Sequence, residues 1–152
     1  MADIKSLKAK KFLPMLKDRQ ERFESGKAAD QFEYQPYLAW IHENGNMTIY
    51  CHSEWSNTPA HEFDRLKGNF AMEVYNSGCD ILLDCDNDAA YWDELLAQGK
   101  RIFGVATDDG HPIYHHCKGW VMVNAENNVN AILKALEKGA FYSSTGPEIY
   151  DF

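Results

Sequence analysis

The chain has 152 residues, 45% of them hydrophobic and 13% aromatic, which suits one domain with a core of ordinary size. Its Lys and Arg number 15 against 23 Asp and Glu, for a formal charge of −8. That balance argues against nucleic acid as a partner, whose footprint is normally basic, and against docking on an anionic membrane. It leaves a small phosphorylated substrate open, because a bound cation reverses the local field of an acidic site. No apolar run is long enough to span a bilayer. Cys51, Cys79, Cys85 and Cys117 form no C-x-x-C pair and follow no secretory segment, so they are expected to be reduced, cytoplasmic thiols that act as small buried hydrophobes.

From the amino terminus, Leu7, Phe12, Leu16 and Phe23 recur among charges, which predicts a surface helix over about 4–25 with one apolar stripe. A short helix over 37–42 follows, stopped by Asn44-Gly45-Asn46. These make up a helical segment, 1–46. The pattern then changes. Strand-like runs fall at 47–51, 70–75, 101–106, 119–123 and 140–144. Between them, Thr58-Pro59 opens a helix, with threonine able to cap and proline harmless at the first helical position. Asp88 can cap a second helix, carrying Trp92, Leu95 and Leu96 and closed by Gly99. Asn124 can cap a third, with Val129, Ile132, Leu133 and Leu136 on one face and Gly139 at its end. Strands alternating with amphipathic helices predict an α/β domain over 47–152 with about five parallel strands and right-handed crossovers.

In parallel sheets, chemistry collects beyond the carboxyl ends of the strands. Here the first strand runs into Cys51-His52-Ser53-Glu54-Trp55, the second into Tyr75-Asn76-Ser77, the third into Thr107-Asp108-Asp109-Gly110-His111, and the fifth into Ser143-Ser144-Thr145-Gly146. The opposite ends hold turn residues such as Gly99 and Gly139. Asp109 and His111, two apart in an extended segment, project to one side, and His52 at another strand end can supply a third donor. Oxygen and nitrogen donors of this kind suit zinc, manganese or iron. Ser143, Ser144, Thr145 and Gly146 can cradle a phosphate through hydroxyls and N–H groups, or form a plain turn. His115, His116 and Cys117 read as a wet loop, although with His111 they also make a poorly spaced zinc tract. Asp84, Asp86 and Asp88 read as helix-entry charges. Glu73 lies inside a strand, where a carboxylate needs a partner or water.

The ordered set CHSEWS, MEVYN, GVATDDGH, GWVMV and ILKALEKGAFYSSTGPEI, spanning about 47–151, resembles the carboxyl-terminal half of the polymerase and histidinol phosphatase (PHP) superfamily of metal-dependent phosphoesterases. The resemblance implies part of a distorted barrel with divalent metals at the strand carboxyl ends. It implies His52, Asp109 and His111 as metal ligands, with Asp108, Glu73 and Asn76 orienting ligands or water. Ser53 stands where the family's His-Pro motif has proline. The family's earlier His-x-His, Asp-His and bridging glutamate motifs have no counterpart before His52. The chain is therefore expected to be half of such a domain, or a reduced relative. Alone it should be weakly active and prone to pair with a second copy. The rival reading is a non-catalytic interaction or regulatory domain that keeps the fold.

Overall fold

A computed structural model of the chain describes residues 34–63, 66–85 and 88–150. The helix expected over 4–25 lies outside them. The described part opens with α1 (Tyr34–Glu43), which contains the 37–42 helix read from the sequence. It continues through β1 (Ile49–Tyr50), α2 (Ala60–Phe63), β2 (Ala71–Asn76), α3 (Ser77–Leu83), α4 (Asp88–Ala97), β3 (Phe103–Thr107), a 3₁₀ turn (Ile113–His115), β4 (Trp120–Val123), α5 (Val129–Lys138) and β5 (Phe141–Ser144).

β1, β2 and β3 form a three-stranded parallel sheet in that order, with Tyr50 opposite Met72 and Asn76 opposite Thr107. β2 is the central strand, and Ala71, Met72 and Glu73 are buried in succession. Such a run is expected of a parallel strand covered on both faces. Ala60, Met72, Leu95 and Ile102 make the buried core, with Tyr50, Phe63, Tyr91 and Trp92 packed against it. The Trp92 indole N–H donates to the Ile102 carbonyl at 3.0 Å and so ties α4 to the approach of β3.

The expectation of five parallel strands is corrected: β4 and β5 pair antiparallel as a separate two-stranded sheet. Strand-helix alternation fixes the element types and leaves the sense of the return open. After β4 the chain bends twice within a few residues, where Ala125 N–H donates to Val123 O and Asn128 N–H to Glu126 O. The helix therefore starts late. Its cap is Asn128, whose side chain accepts from Ala131 N–H, and not Asn124 as the sequence suggested. Gly139, left-handed at φ +73°, closes α5 and turns the chain straight into β5. No barrel closes among the described residues.

The helix α3 has no counterpart in the sequence reading: Asn76 caps it, its side-chain oxygen accepting from Cys79 N–H at 3.0 Å. Of the three aspartates read as helix-entry charges, Asp84 is the left-handed cap that ends α3. Asp88 is a buried residue at the start of α4, and Asp86 lies outside the described residues.

Candidate functional site

Parallel pairing puts the carboxyl ends of β1, β2 and β3 on one edge, and Glu73 joins them. Its Oε2 accepts from His52 N–H, just beyond β1, at 2.7 Å, and from the Asn76 amide at 3.0 Å. Its Oε1 accepts from the Thr107 hydroxyl, at the end of β3, at 2.6 Å. Glu73 is thus a buried strut with named donors on all three strand ends. Asn76, also buried, continues the chain of contacts by donating to Asp109 Oδ2 at 3.3 Å.

His52 and Asp109 each lie two residues past a strand end, and each is left-handed, at φ +38° and +44°. That region is unfavourable for residues with a Cβ, by about 1–2 kcal/mol, and such conformations cluster at functional sites. His52 and Asp109 line one cavity of about 290 Å³ together with His111, Gly78, Cys79, Trp55, Leu82 and Leu83. Within it His111 Nε2 stands 3.5 Å from Asp109 Oδ1. The His52 Nδ1 bonds Ser56 Oγ at 2.8 Å, which leaves Nε2 as its free donor atom, and the ring stands edge-on to Trp55 with centroids 5.0 Å apart. The three expected metal donors therefore share a cavity. Among the described residues, however, no three His, Cys, Asp or Glu side chains are already gathered to ion-binding spacing.

Other expected site residues do different work. Asp108 accepts from three backbone N–H groups: Cys117 at 2.7 Å, Lys118 at 2.8 Å and Gly119 at 2.9 Å. The Gly119 and Lys118 N–H bonds hold its carboxyl below the usual range. It is a clasp that closes the 108–119 loop, which corrects the role of orienting ligand or water. The phosphate cradle is corrected too. Ser143 Oγ donates to Gly104 O at 2.8 Å and accepts from Ala106 N–H at 3.1 Å, stitching β5 to β3. Ser144 Oγ donates to Pro147 O and accepts from Gly146 N–H. Thr145 and Gly146 are exposed, and none of the four lines the cavity.

Asp88, Cys79 and His115 take places around the site that the sequence reading did not give them. Asp88 is 2% exposed and accepts from Glu54 N–H at 2.8 Å; burial pushes its carboxyl up. Cys79 is buried in the cavity wall, and burial, then Asp109, Asp88 and Glu73, push its thiol up to about 11. Cys51 and Cys117 are exposed rather than buried. Yet the Cys51 thiol is also pushed up to about 12, by desolvation and then Glu73; the local crowding of its sulfur, not the openness of the residue, decides that shift. His115, read as part of a wet loop, has no exposed surface. Its carbonyl accepts from Ser77 Oγ at 3.2 Å. No sequence signal marks that burial: His115 and His116 are adjacent and identical, yet only the first turns inward.

Family models, curated proteins and solved structures were compared with the chain, and none matches it.

Proposed function

We propose that the cavity is the cation site of a PHP-type metal-dependent phosphoesterase and that a small phosphorylated molecule binds at its mouth. The observation that carries this reading is the meeting of His52 with Asp109 and His111 in one cavity, from two separate strand ends, with His52 and Asp109 in disfavoured backbone conformations. The donor set, two imidazoles and a carboxylate, suits zinc, manganese or iron. A divalent cation supplies an acidified water and neutralises charge developing on phosphoryl oxygens.

The remaining work belongs to the chain. Asp109 and His111 hold the cation, and Asn76 fixes the Asp109 carboxylate from the side away from His111. Glu73 holds the His52 backbone in place. Trp55, Leu82 and Leu83 line the cavity with apolar surface, which excludes water from the organic part of a substrate. In this reading the three parallel strands are part of a distorted barrel.

The test is isothermal titration with Mn²⁺ alongside hydrolysis of 4-nitrophenyl phosphate. The chain should bind the ion weakly and turn over slowly, chelator should abolish turnover, and Asp109→Asn should remove both signals. Turnover indifferent to chelator and to Asp109→Asn would sink the proposal.

The rival reading, a non-catalytic interaction domain, is favoured by one observation: Ile81, Leu82 and Leu83 present a continuous exposed apolar run on α3. Such patches mark contact surfaces. Among the described residues β1 is moreover an edge strand, and edges invite pairing with another chain. Under either reading the chain is proposed to form a homodimer. Sedimentation at micromolar concentration checks this, and a clean monomer would contradict it.

A further inference from the structure

Scattered exposed apolar side chains are ordinary, but several around one cavity form a patch that marks a binding surface. Trp55, Leu82 and Leu83 are 56%, 57% and 52% exposed, and all three line the cavity. Cys79 adds to the same lining. Its thiol, pushed up to about 11, keeps its proton, so the sulfur is soft, uncharged surface of the kind that packs against aromatic rings.

The polar groups of the cavity are few. His52, Asp109 and His111 supply them, and part of their capacity is already used: His52 Nδ1 bonds Ser56 Oγ, and Asp109 Oδ2 accepts from the Asn76 amide. Among the described residues no Ser, Thr, Asn, Gln, Lys or Arg side chain lines the cavity. A ligand rich in hydroxyls would lose its water there and find few partners, and leaving a buried polar group unpaired costs more than a made bond returns. A negative charge on the organic part of a ligand would meet the Asp109 carboxylate with no lysine or arginine beside it. The lining thus admits an uncharged apolar group and rejects a polyol.

Two features give that group a shape. The volume, about 290 Å³, lies at the lower bound of small-molecule sites, which run from about 300 to 1,000 Å³, so a single ring or a fused pair fills it. The rings of His52 and Trp55 stand at 77° to each other with centroids 5.0 Å apart. A flat ring stacked on one of them meets the other edge to face, and both contacts are ones that aromatic pairs prefer. A puckered alkyl group of the same area gains the burial without those contacts.

We propose that the cavity seats an uncharged aromatic group, so that its ligands are aryl or arylalkyl compounds, and that Trp55 is the residue that selects them. The inference rests on the reading above for the phosphate and names the organic part of the ester; the aromatic seat itself involves no cation.

The test is NMR of the full chain, following the indole N–H of Trp55 and the methyl groups of Leu82 and Leu83 while 2-naphthol is added without metal. Those signals should move and saturate with the probe. Calorimetry with Mn²⁺ present should show 2-naphthyl phosphate binding at least about tenfold tighter than glucose 6-phosphate. That ratio corresponds to about 1.4 kcal/mol, within reach of one aromatic contact and the burial that goes with it. Trp55→Ala should erase the preference by weakening the naphthyl ester alone, and Trp55→Phe should keep most of it. No movement of Trp55, Leu82 and Leu83 with 2-naphthol, or equal and measurable binding of the two esters, would overturn the proposal; Mn²⁺-dependent turnover of glucose 6-phosphate would then leave the phosphoesterase reading standing. Movement that follows protein concentration instead of the probe would also overturn it, and would give the face to a second copy of the chain. Saturable 2-naphthol binding, without binding or hydrolysis of either ester, would support the aromatic seat and count against the phosphoesterase. The wild-type titration decides the matter even if Trp55→Ala fails to fold.

Discussion

Glu73 offers the sharpest stability test, because one buried carboxylate accepts from His52 N–H, the Asn76 amide and the Thr107 hydroxyl. In Glu73→Ala the His52 N–H loses its acceptor, at about 1–3 kcal/mol for an unsatisfied buried donor. Asn76 keeps its longer bond to Asp109, and the Thr107 hydroxyl can rotate, so these two losses are smaller. The cavity left by the side chain adds to them. We predict a total of about 2–4 kcal/mol, a large share of the roughly 5–15 kcal/mol that holds a domain folded. Glu73→Gln should cost about 1 kcal/mol or less. Its amide oxygen can accept from His52 and Asn76, and its amide nitrogen can donate to Thr107, which is able to accept. In urea the alanine variant should lose about 1–2 M of midpoint at unchanged slope, and the glutamine variant much less. Equal losses in the two variants would show that charge, rather than hydrogen-bond geometry, is what β2 contributes here. An alanine variant as stable as wild type would refute the strut altogether.

Asp88, with its carboxyl raised by burial, favours folding most when protonated; that contribution is full below the unfolded value of about 3.9 and is lost as pH rises through the higher folded value. Asp88→Asn keeps an oxygen for Glu54 N–H, so its stability relative to wild type should improve as pH rises from 4 to 7 in urea titrations; a variant clearly weaker at pH 7 would contradict this. Asp108 has the opposite sign: lowered by backbone N–H donors, it stabilises above the unfolded value and loses that contribution as pH falls through its folded one. Asp108→Asn has one acceptor oxygen in place of two, so amide exchange at Cys117, Lys118 and Gly119 should quicken; unchanged protection there would remove its role as a clasp. With the Cys79 thiol pushed up to about 11 and Cys51 to about 12, iodoacetamide at pH 8 should modify exposed Cys117 well before either, since the thiolate is the reactive form; peptide mapping that finds Cys79 modified first would contradict the assignment.

Much of the sheet and its polar edge is legible in the sequence because parallel strands and amphipathic helices have strong, distinct periodicities. β2 and β3 fall within two residues of the runs at 70–75 and 101–106, and Pro59 stands immediately before α2. His52, Asp109 and His111 are recoverable because chain direction alone puts strand carboxyl ends together. What stays hidden depends on local hydrogen bonding. Asn76-Ser77-Gly78 has turn composition, and only the Asn76 bond to Cys79 makes it a helix start. The antiparallel return of β5 depends on two tight bends before Asn128. Ser143 and Ser144 carry hydroxyls of the right type for phosphate but bond inward to Gly104, Ala106, Pro147 and Gly146. Burial of His115, and not of His116, follows from the path of a loop clasped by Asp108, which no residue pattern encodes.

The central claim is that a divalent cation occupies the cavity at the carboxyl ends of β1 and β3. A crystal of the chain soaked in Mn²⁺ and measured at the manganese absorption edge tests it most directly. The account predicts an anomalous peak within about 2.0–2.3 Å of an Asp109 carboxylate oxygen and of an imidazole nitrogen of His111, distances usual for such donors. A map with no peak in that cavity, or with its peak on other residues while the cavity stays empty, would contradict it.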